Sequence, residues 1–309
     1  MLGQIVEIEG AGRRVWLERG FLCVAGPDGP LGKAPLDDVE ALILSNPAVS
    51  LTGQALAALA ARGAPVVLCG EGFRPAAYLL PVDGHHAQGD RVEAQASARL
   101  PLRKRLWADI IRAKIAAQAA ALARGGANAS PIAVLAATVR AGDPGNAEAV
   151  AAQRYFPLMF GRGFVRARDA GGANALLNYG YTVLRAATAR AVVAAGLHPS
   201  LALMHRSRGD ALRLADDLME PFRPTVDIIV KALLDEGVTD VSTLAKRRLA
   251  GVLHHDFRTP DGVTPLSNLL ARLAVSLGHV FTGEKKKLFL PLDPLPLAAE
   301  SDDGEEAEF

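Results

Sequence analysis

Apolar residues recur in two rhythms along this chain, and the rhythm changes near residue 95. Up to residue 82 they fall in short runs: Ile5, Val6 and Ile8, then Val15 and Leu17, Phe21 to Val24, Leu42 to Leu44, Pro65 to Leu68, and Tyr78 to Leu80. Gly10, Gly12, Gly20 and the segment GPDGPLG punctuate the early runs, which is the pattern of strands joined by turns. One helical stretch, residues 52–62, carries Leu56 and Leu59 among alanines and stops at Gly63. Strands ahead of one late helix predict a small sheet or sandwich with a helical cover. Residues 83–95 are polar and turn-rich and read as an interdomain linker. From residue 96 the spacing is helical almost throughout, over 96–124, 129–139, 147–160, 173–194, 226–235, 241–253 and 266–279. The expected fold class is α+β, with a small β-rich N-terminal domain over 1–82 and a larger all-α domain over 96–290. Residues 291–309 lack a core-forming pattern and read as an acidic disordered tail.

Composition sharpens this picture in one respect. Half of the residues are hydrophobic and 22% are charged, as in globular proteins with well-filled cores. The formal net charge is only +1, yet the last ten residues hold six carboxylates and no base. A near-neutral total therefore conceals a basic body, which suits a polyanionic partner. The helix over 96–124 carries Arg99, Arg103, Lys104, Arg105, Arg112 and Lys114. Its basic first half is suited to a phosphate backbone, or else is a solvated arginine face. Cys23 and Cys69 lie in apolar runs and read as buried reduced thiols. Glu7 and Glu9 interrupt the first apolar run, so no signal peptide is visible, and no uncharged run reaches the roughly 20 residues of a membrane span. A cytoplasmic protein without membrane partners is expected.

Candidate chemistry centres on LHPSLALMHRSRGDALRLADDLMEPFRP, which begins at Leu197 and ends at Pro224. It places His205 before Arg206 and Arg208, and then Asp216, Asp217 and Glu220 on a helical run. Helical spacing puts Asp217 and Glu220 on one face. Carboxylates that close repel one another unless a metal ion or arginines lie among them. Pro221 and Pro224 stop or kink the helix just beyond. A second acid, Glu148, falls in the first turn of the helix over 147–160, with Asn146 as the expected N-cap. By itself Glu148 reads as an acid favoured by the helix dipole. Tyr155 and Phe156 follow about two turns on, and Arg162, Arg166 and Arg168 come soon after. Aromatic rings that stack bases and arginines that hold phosphates would suit a nucleic-acid site.

Other motifs contribute less. GPDGPLGK fails the phosphate-loop spacing, and Ala34 stands where Ser or Thr is required. His85 and His86 read as solvated, His254, His255 and Asp256 as surface or capping residues, and Asn174, Asn178, Tyr179 and Tyr181 as hydrogen-bonded packing groups.

EAVAAQRYF around Glu148, NALLNYGYTVLRA at 174–186, LHPSLALMHRSR and ADDLMEPFRP together resemble the CRISPR-associated adaptation endonuclease/integrase family (Cas-one), in particular its type II branch. The resemblance covers nearly the whole chain. It implies that residues 1–82 form a dimerisation domain and 96–290 a catalytic domain. It also implies Glu148, His205 and Glu220 as catalytic ligands of Mg2+ or Mn2+, with Asp217 either a ligand or a group behind one. Asp216 has no counterpart and reads as a helix-surface acid. Glu220 stands where some relatives have Asp, which alters reach but not charge. The implied reaction is attack by the 3′-hydroxyl of a protospacer duplex on a phosphodiester at a CRISPR repeat border. Arg154, Arg162, Arg166, Arg206, Arg208 and Arg223 are the expected phosphate contacts, with Tyr155, Arg103 and Arg105 also expected on DNA. The implied partners are double-stranded DNA, a second copy of the chain, and a dimer of the small companion protein Cas-two in a heterohexamer. In type II systems the effector nuclease and an accessory adaptation protein join them. Three other readings compete: a repair or junction-cleaving nuclease with the same metal site, a non-catalytic DNA-binding scaffold, and a helical metalloenzyme acting on small molecules. The arginine-rich surroundings and the lack of a cofactor fingerprint disfavour the last.

Overall fold

The computed structural model describes residues 4–70, 75–82, 85–167, 170–205 and 211–297. Arg168, Arg206, Arg208 and the tail from residue 298 onward lie outside them.

Two four-stranded sheets build the N-terminal part. The first contains β1 (Gln4–Ile8), β5 (Val39–Leu44), β7 (Val66–Cys69) and β8 (Pro75–Leu79), with β1, β5 and β7 parallel and β8 antiparallel at the edge. The second contains β2 (Arg14–Glu18), β3 (Phe21–Gly26), β4 (Gly29–Pro35) and the short β6 (Ser50–Leu51), in the order β4-β3-β2-β6. Helix α1 (Gly53–Ala61) is capped by Thr52, whose hydroxyl accepts from the Ala55 N–H.

Strand β5 explains how this unit joins the rest. Successive side chains of a strand point to opposite faces. Leu42 and Leu44 join the N-terminal core with Ile8, Val15, Leu22, Leu59 and Val66. Ala41 and Ile43, with Val67 and Cys69, belong to the core of the helical part. The central strands are thus covered on both faces, which accounts for their nearly unbroken apolar sequence. Polar contacts strengthen the same junction. Glu7 accepts from the Tyr179 hydroxyl at 2.7 Å and pairs with Lys246 at 3.1 Å, while Lys246 also pairs with Glu9. Both cysteines are buried and unpaired.

The helical part comprises α2 (Gln88–Ala96), α3 (Leu100–Arg124), α4 (Ser130–Thr138), α5 (Ala147–Phe160), α6 (Ala173–Ala194), α7 (Arg213–Met219), α8 (Arg223–Asp235), α9 (Thr243–Ala250) and α10 (Leu266–Phe281). Helices α3 and α6 run through its core, where Leu106, Ile110, Ile111 and Ile115 of α3 and Leu176, Leu177, Val183 and Leu184 of α6 are almost fully buried. Helix α6 passes α8 closely at Gly180, where a Cβ would come 2.4 Å from Val226 Cγ1. No helix among the described residues is long and apolar enough to cross a membrane.

Four expectations need correction. The segment read as a linker is mostly helix α2, docked rather than free. Arg91 donates to the Ala195 carbonyl at 2.8 Å. Gln95 donates to the carbonyls of His198 and Leu201 and accepts from the His198 N–H. The long helix expected from residue 96 is broken at 97–99, because Pro101 begins a new helix well but cannot continue an old one. The helical part is not wholly α: β9 (Asp256–Thr259) and β10 (Gly262–Pro265) form a hairpin around Pro260, Asp261 and Gly262. Residues 291–297 pack on this hairpin and on α3, with Leu295 buried, Leu292 donating to the Arg258 carbonyl and Arg124 donating to that of Pro296. The part of the tail that is described is therefore bound to the body.

Candidate active site

Four pieces of chain, the middle of α3 among them, meet at one place. The first is α5, whose first turn presents Glu148. Its cap differs from expectation. Asn146 adopts a left-handed backbone and makes no cap, and Asp143 instead accepts from the N–H groups of Ala147 and Glu148 at 2.9 and 3.0 Å. Two opening amides of α5 are satisfied in this way.

The second piece is the junction of α7 and α8. Pro221 has no N–H to extend α7, and residues Glu220–Phe222 tighten into a 3-10 turn before α8 starts at Arg223. Glu220 lies at this change of pitch and is 3% exposed. The third piece is the segment 197–205, which α2 holds through Gln95. Arg103 of α3 holds it as well, donating to the carbonyls of Ala202 at 2.7 Å and Leu203 at 3.2 Å.

The fourth is α3 itself, which contributes Lys114. Its ammonium stands 2.7 Å from Glu148 Oε1 and 2.6 Å from Glu220 Oε2. The two carboxylates therefore converge on one cation-sized position. Burial opposes the charge on Lys114, but Glu220 and Glu148 outweigh it and the ammonium is held more firmly protonated than usual. Burial likewise works against ionised Glu220, and Arg223 and Lys114 overcome it, so the net shift is downward. Arg223 Nε lies 3.1 Å from Glu220 Oε1. Glu220 Oε2 is buried and receives no well-directed hydrogen bond despite its ion pair.

His205 and Asp217 form a second pair. Asp217 is fully buried. Its carboxylate accepts from the N–H of Leu203 at 2.5 Å and of His205 at 3.3 Å, and stands 2.7 Å from His205 Nδ1. Burial pushes the Asp217 carboxyl upward against these partners, while the bond to Asp217 raises the imidazole of His205. Trp107 meets the His205 ring edge-on at 5.5 Å. With Nδ1 committed to Asp217, Nε2 is the nitrogen left for any further ligand.

The expected ligands are thus neighbours without forming one coordination sphere. Among the described residues no three His, Cys, Asp or Glu side chains are grouped to hold a metal ion, because Lys114 separates the carboxylates and His205 faces Asp217. The donor chemistry nonetheless fits a hard divalent cation: one imidazole nitrogen and two carboxylates, of which Glu220 has a buried oxygen with acceptor capacity to spare.

The expected DNA contacts divide sharply. Tyr155 is fully buried and its hydroxyl donates to Asp227 at 2.9 Å, so it is a core residue and cannot stack a base. Arg103 serves the His205 segment, Arg105 donates to the Lys286 carbonyl, and Arg154 donates to that of Pro131. Arg162 is exposed. Arg166 is held by the side-chain oxygens of Asn174 at 2.8 Å and Asn178 at 2.7 Å, in keeping with a packing role for those asparagines. Asp216 is not a free surface acid but a bidentate partner of Arg185, at 2.7 and 2.8 Å.

Sequence reasoning missed the importance of Lys114, Gln118 and Asp227. Asp227 is buried between the hydroxyls of Tyr155 and Tyr181, and burial raises its carboxyl to about 6. Together with Lys114, Gln118, Ala152, Phe156, Arg166, Tyr181 and Arg223 it lines a cavity of about 210 Å³ beside the acids.

Residues 6–259 match the family model described as CRISPR associated protein Cas1. The chain belongs to the Cas1 family. Among named relatives, the CRISPR-associated endonuclease Cas1 of Neisseria meningitidis serogroup C is 38% identical over 248 residues, covering 79% of this chain and 81% of the relative. Two solved structures share the fold. A casposase bound to integration product superposes with a TM-score of 0.77 at 19% identity, over 93% of this chain and 92% of the other. A chain of a Cas6-RT-Cas1–Cas2 complex gives 0.75 at 20% identity, over 93% of this chain and 36% of the other. The β-rich region followed by a helical one is thus the Cas1 architecture.

Proposed function

We propose that this Cas1 chain is a divalent-metal-dependent DNA endonuclease and integrase of CRISPR adaptation, acting in spacer acquisition. One observation carries the reading: Glu148 and Glu220, from separate helices, converge on a single cation position beside Arg223 and an imidazole oriented by a buried carboxylate. The endonuclease name of the Neisseria relative and the integration product held by the casposase agree with it.

In this reading Glu148, Glu220 and Nε2 of His205 hold Mg2+ or Mn2+, and Asp217 positions His205 without touching the metal. The bound ion supplies Lewis acidity at the phosphoryl oxygen and a lowered pKa for the attacking hydroxyl. The protein's own groups do the rest. Asp217 fixes the imidazole tautomer and holds the ring in one orientation. Arg223 and Arg166, which both line the adjoining cavity, offer guanidinium donors to phosphate oxygens. Arg162, Arg206 and Arg208 extend the phosphate contacts. A 3′-hydroxyl as nucleophile joins protospacer DNA to the repeat border, and water as nucleophile cuts DNA.

The β-rich part is the dimerisation surface, and a dimer of Cas2 (the Cas-two of the family) bridges two such dimers, a pairing suggested by the Cas1–Cas2 neighbour. The type II effector nuclease and its accessory adaptation protein select the protospacer, in the cytoplasm. Incubating the protein with labelled duplex DNA and either Mn2+ or EDTA tests the enzyme reading. Metal-dependent strand cutting that Glu148→Gln and Glu220→Gln abolish is expected. Cutting unaffected by both substitutions refutes the site, and DNA binding without cutting under any divalent metal leaves a scaffold.

A further inference from the structure

Lys114 is an unusual occupant for a prospective metal site. Only 8% exposed, it sits where two carboxylates meet and contacts both at ion-pair distance. Two acids drawn together in a buried place repel each other unless a cation lies between them. The ammonium supplies that cation, and it fills the position that a divalent ion coordinated by the same oxygens would need.

The neighbourhood contains a second place for it. Gln118 follows Lys114 by four residues, on the same face of α3. Gln118 is 3% exposed, and its Oε1 is buried without a hydrogen-bond partner. Leaving such an acceptor unsatisfied is costly, so its place beside a cavity calls for explanation. Lys114, Gln118 and the Asp227 carboxylate line the same cavity, which has room for a displaced lysine head. Residues four apart on a helix are neighbours, so a change of the Lys114 rotamer alone would bring its ammonium to the Gln118 side of that cavity. Arg166 and Arg223 line that cavity too and make it the poorer station for a cation. The ammonium therefore stays between the acids until a doubly charged ion displaces it.

We propose that Lys114 is a built-in placeholder. In the metal-free protein it holds Glu148 and Glu220 at ligand separation, and on metal binding it withdraws into the Gln118–Asp227 cavity. This rests on the assignment of Glu148 and Glu220 as ligands made under the proposed function. Lys114 acts as a positioning residue, and its presence weakens metal affinity while preserving the shape of the site.

The test is Mn2+ binding to the full chain, read as free Mn2+ by electron paramagnetic resonance, with no DNA present. Lys114→Met should bind Mn2+ on the order of tenfold more tightly than wild type, and should melt at a lower temperature without metal. A merely structural lysine predicts the opposite, a looser site. Gln118→Leu should weaken binding severalfold in the wild-type background and leave it unchanged beside Lys114→Met, since the coupling runs through the displaced ammonium. Should Lys114→Met fail to fold, Gln118→Leu alone decides: unchanged affinity overturns the proposal. Glu148→Gln and Glu220→Gln separate the two levels. If neither lowers Mn2+ binding, the ligand assignment falls and the placeholder with it. If both abolish binding but Lys114→Met does not tighten it, only the placeholder falls.

Discussion

Asp217→Asn tests how the site is held together. The carboxylate is fully buried and serves as acceptor for the Leu203 N–H at 2.5 Å, the His205 N–H at 3.3 Å and His205 Nδ1 at 2.7 Å. An asparagine of the same shape has one acceptor oxygen and one donor group. If its oxygen keeps Leu203, its NH2 confronts the His205 side. The bond from Leu203 becomes neutral and the two from His205 are lost, so a total loss of roughly 2–4 kcal/mol is expected. The new donor also reverses the imidazole tautomer: Nδ1 becomes an acceptor, and Nε2 carries the proton and cannot act as a ligand. Urea denaturation should show the midpoint falling with the slope unchanged. Mn2+ affinity should drop by about 10–100-fold, the usual cost of losing a group that orients a metal-binding histidine. A variant within about 0.5 kcal/mol of wild type that binds Mn2+ equally well would refute the reasoning.

Other predictions follow from groups around the site. Asp227 titrates near 6 in the folded protein, from an ordinary value of 3.8. The folded state therefore holds the proton more tightly, and stability should fall as pH rises from about 4 through 6, by up to about 3 kcal/mol. Asp227→Asn should flatten that part of a stability–pH profile, and an unchanged slope would contradict the assignment. Arg103→Ala removes two bonds to the carbonyls ahead of His205. It should cost about 1–3 kcal/mol by thermal unfolding and lower strand cutting more than DNA affinity. Glu7→Ala removes the acceptor shared by Tyr179 and Lys246 at the junction of the two parts. A loss of about 1–3 kcal/mol is expected, and an unchanged melting temperature would show that the apolar faces of β5 and β7 suffice.

The sequence revealed the order of parts because their periodicities differ. The apolar runs of β5 and β7 and the helical spacing of α5, α6 and α10 are local signals, and the structure has those elements. Glu148, His205, Asp217 and Glu220 stood out from motif resemblance, and the fold brings them to one place. What stayed hidden depends on contacts between distant residues. Helix α2 looked like a linker because its surface is polar, yet Arg91 and Gln95 are buried against carbonyls about a hundred residues away. Asp217 and Asp216 are adjacent in sequence and point to different partners, His205 and Arg185. Tyr155 looked like a stacking ring because nothing local indicated Asp227 as its partner. Lys114 was within reach of sequence reasoning. With Gln118 it interrupts the stripe formed by Ile111, Ile115 and Leu122, all buried. Two polar residues on the apolar face of a core helix are a sign of a buried polar site.

The most direct test of the central claim is a strand-transfer reaction. It uses a short duplex with free 3′-hydroxyls, a supercoiled plasmid bearing the CRISPR repeat array, Cas2, and either Mg2+ or EDTA. The account predicts covalent joining at the repeat borders in Mg2+, none in EDTA, and none with Glu220→Gln, although that variant still binds the duplex. Cutting without joining would move the protein to repair or junction cleavage. Joining that persists in Glu220→Gln would contradict the site itself.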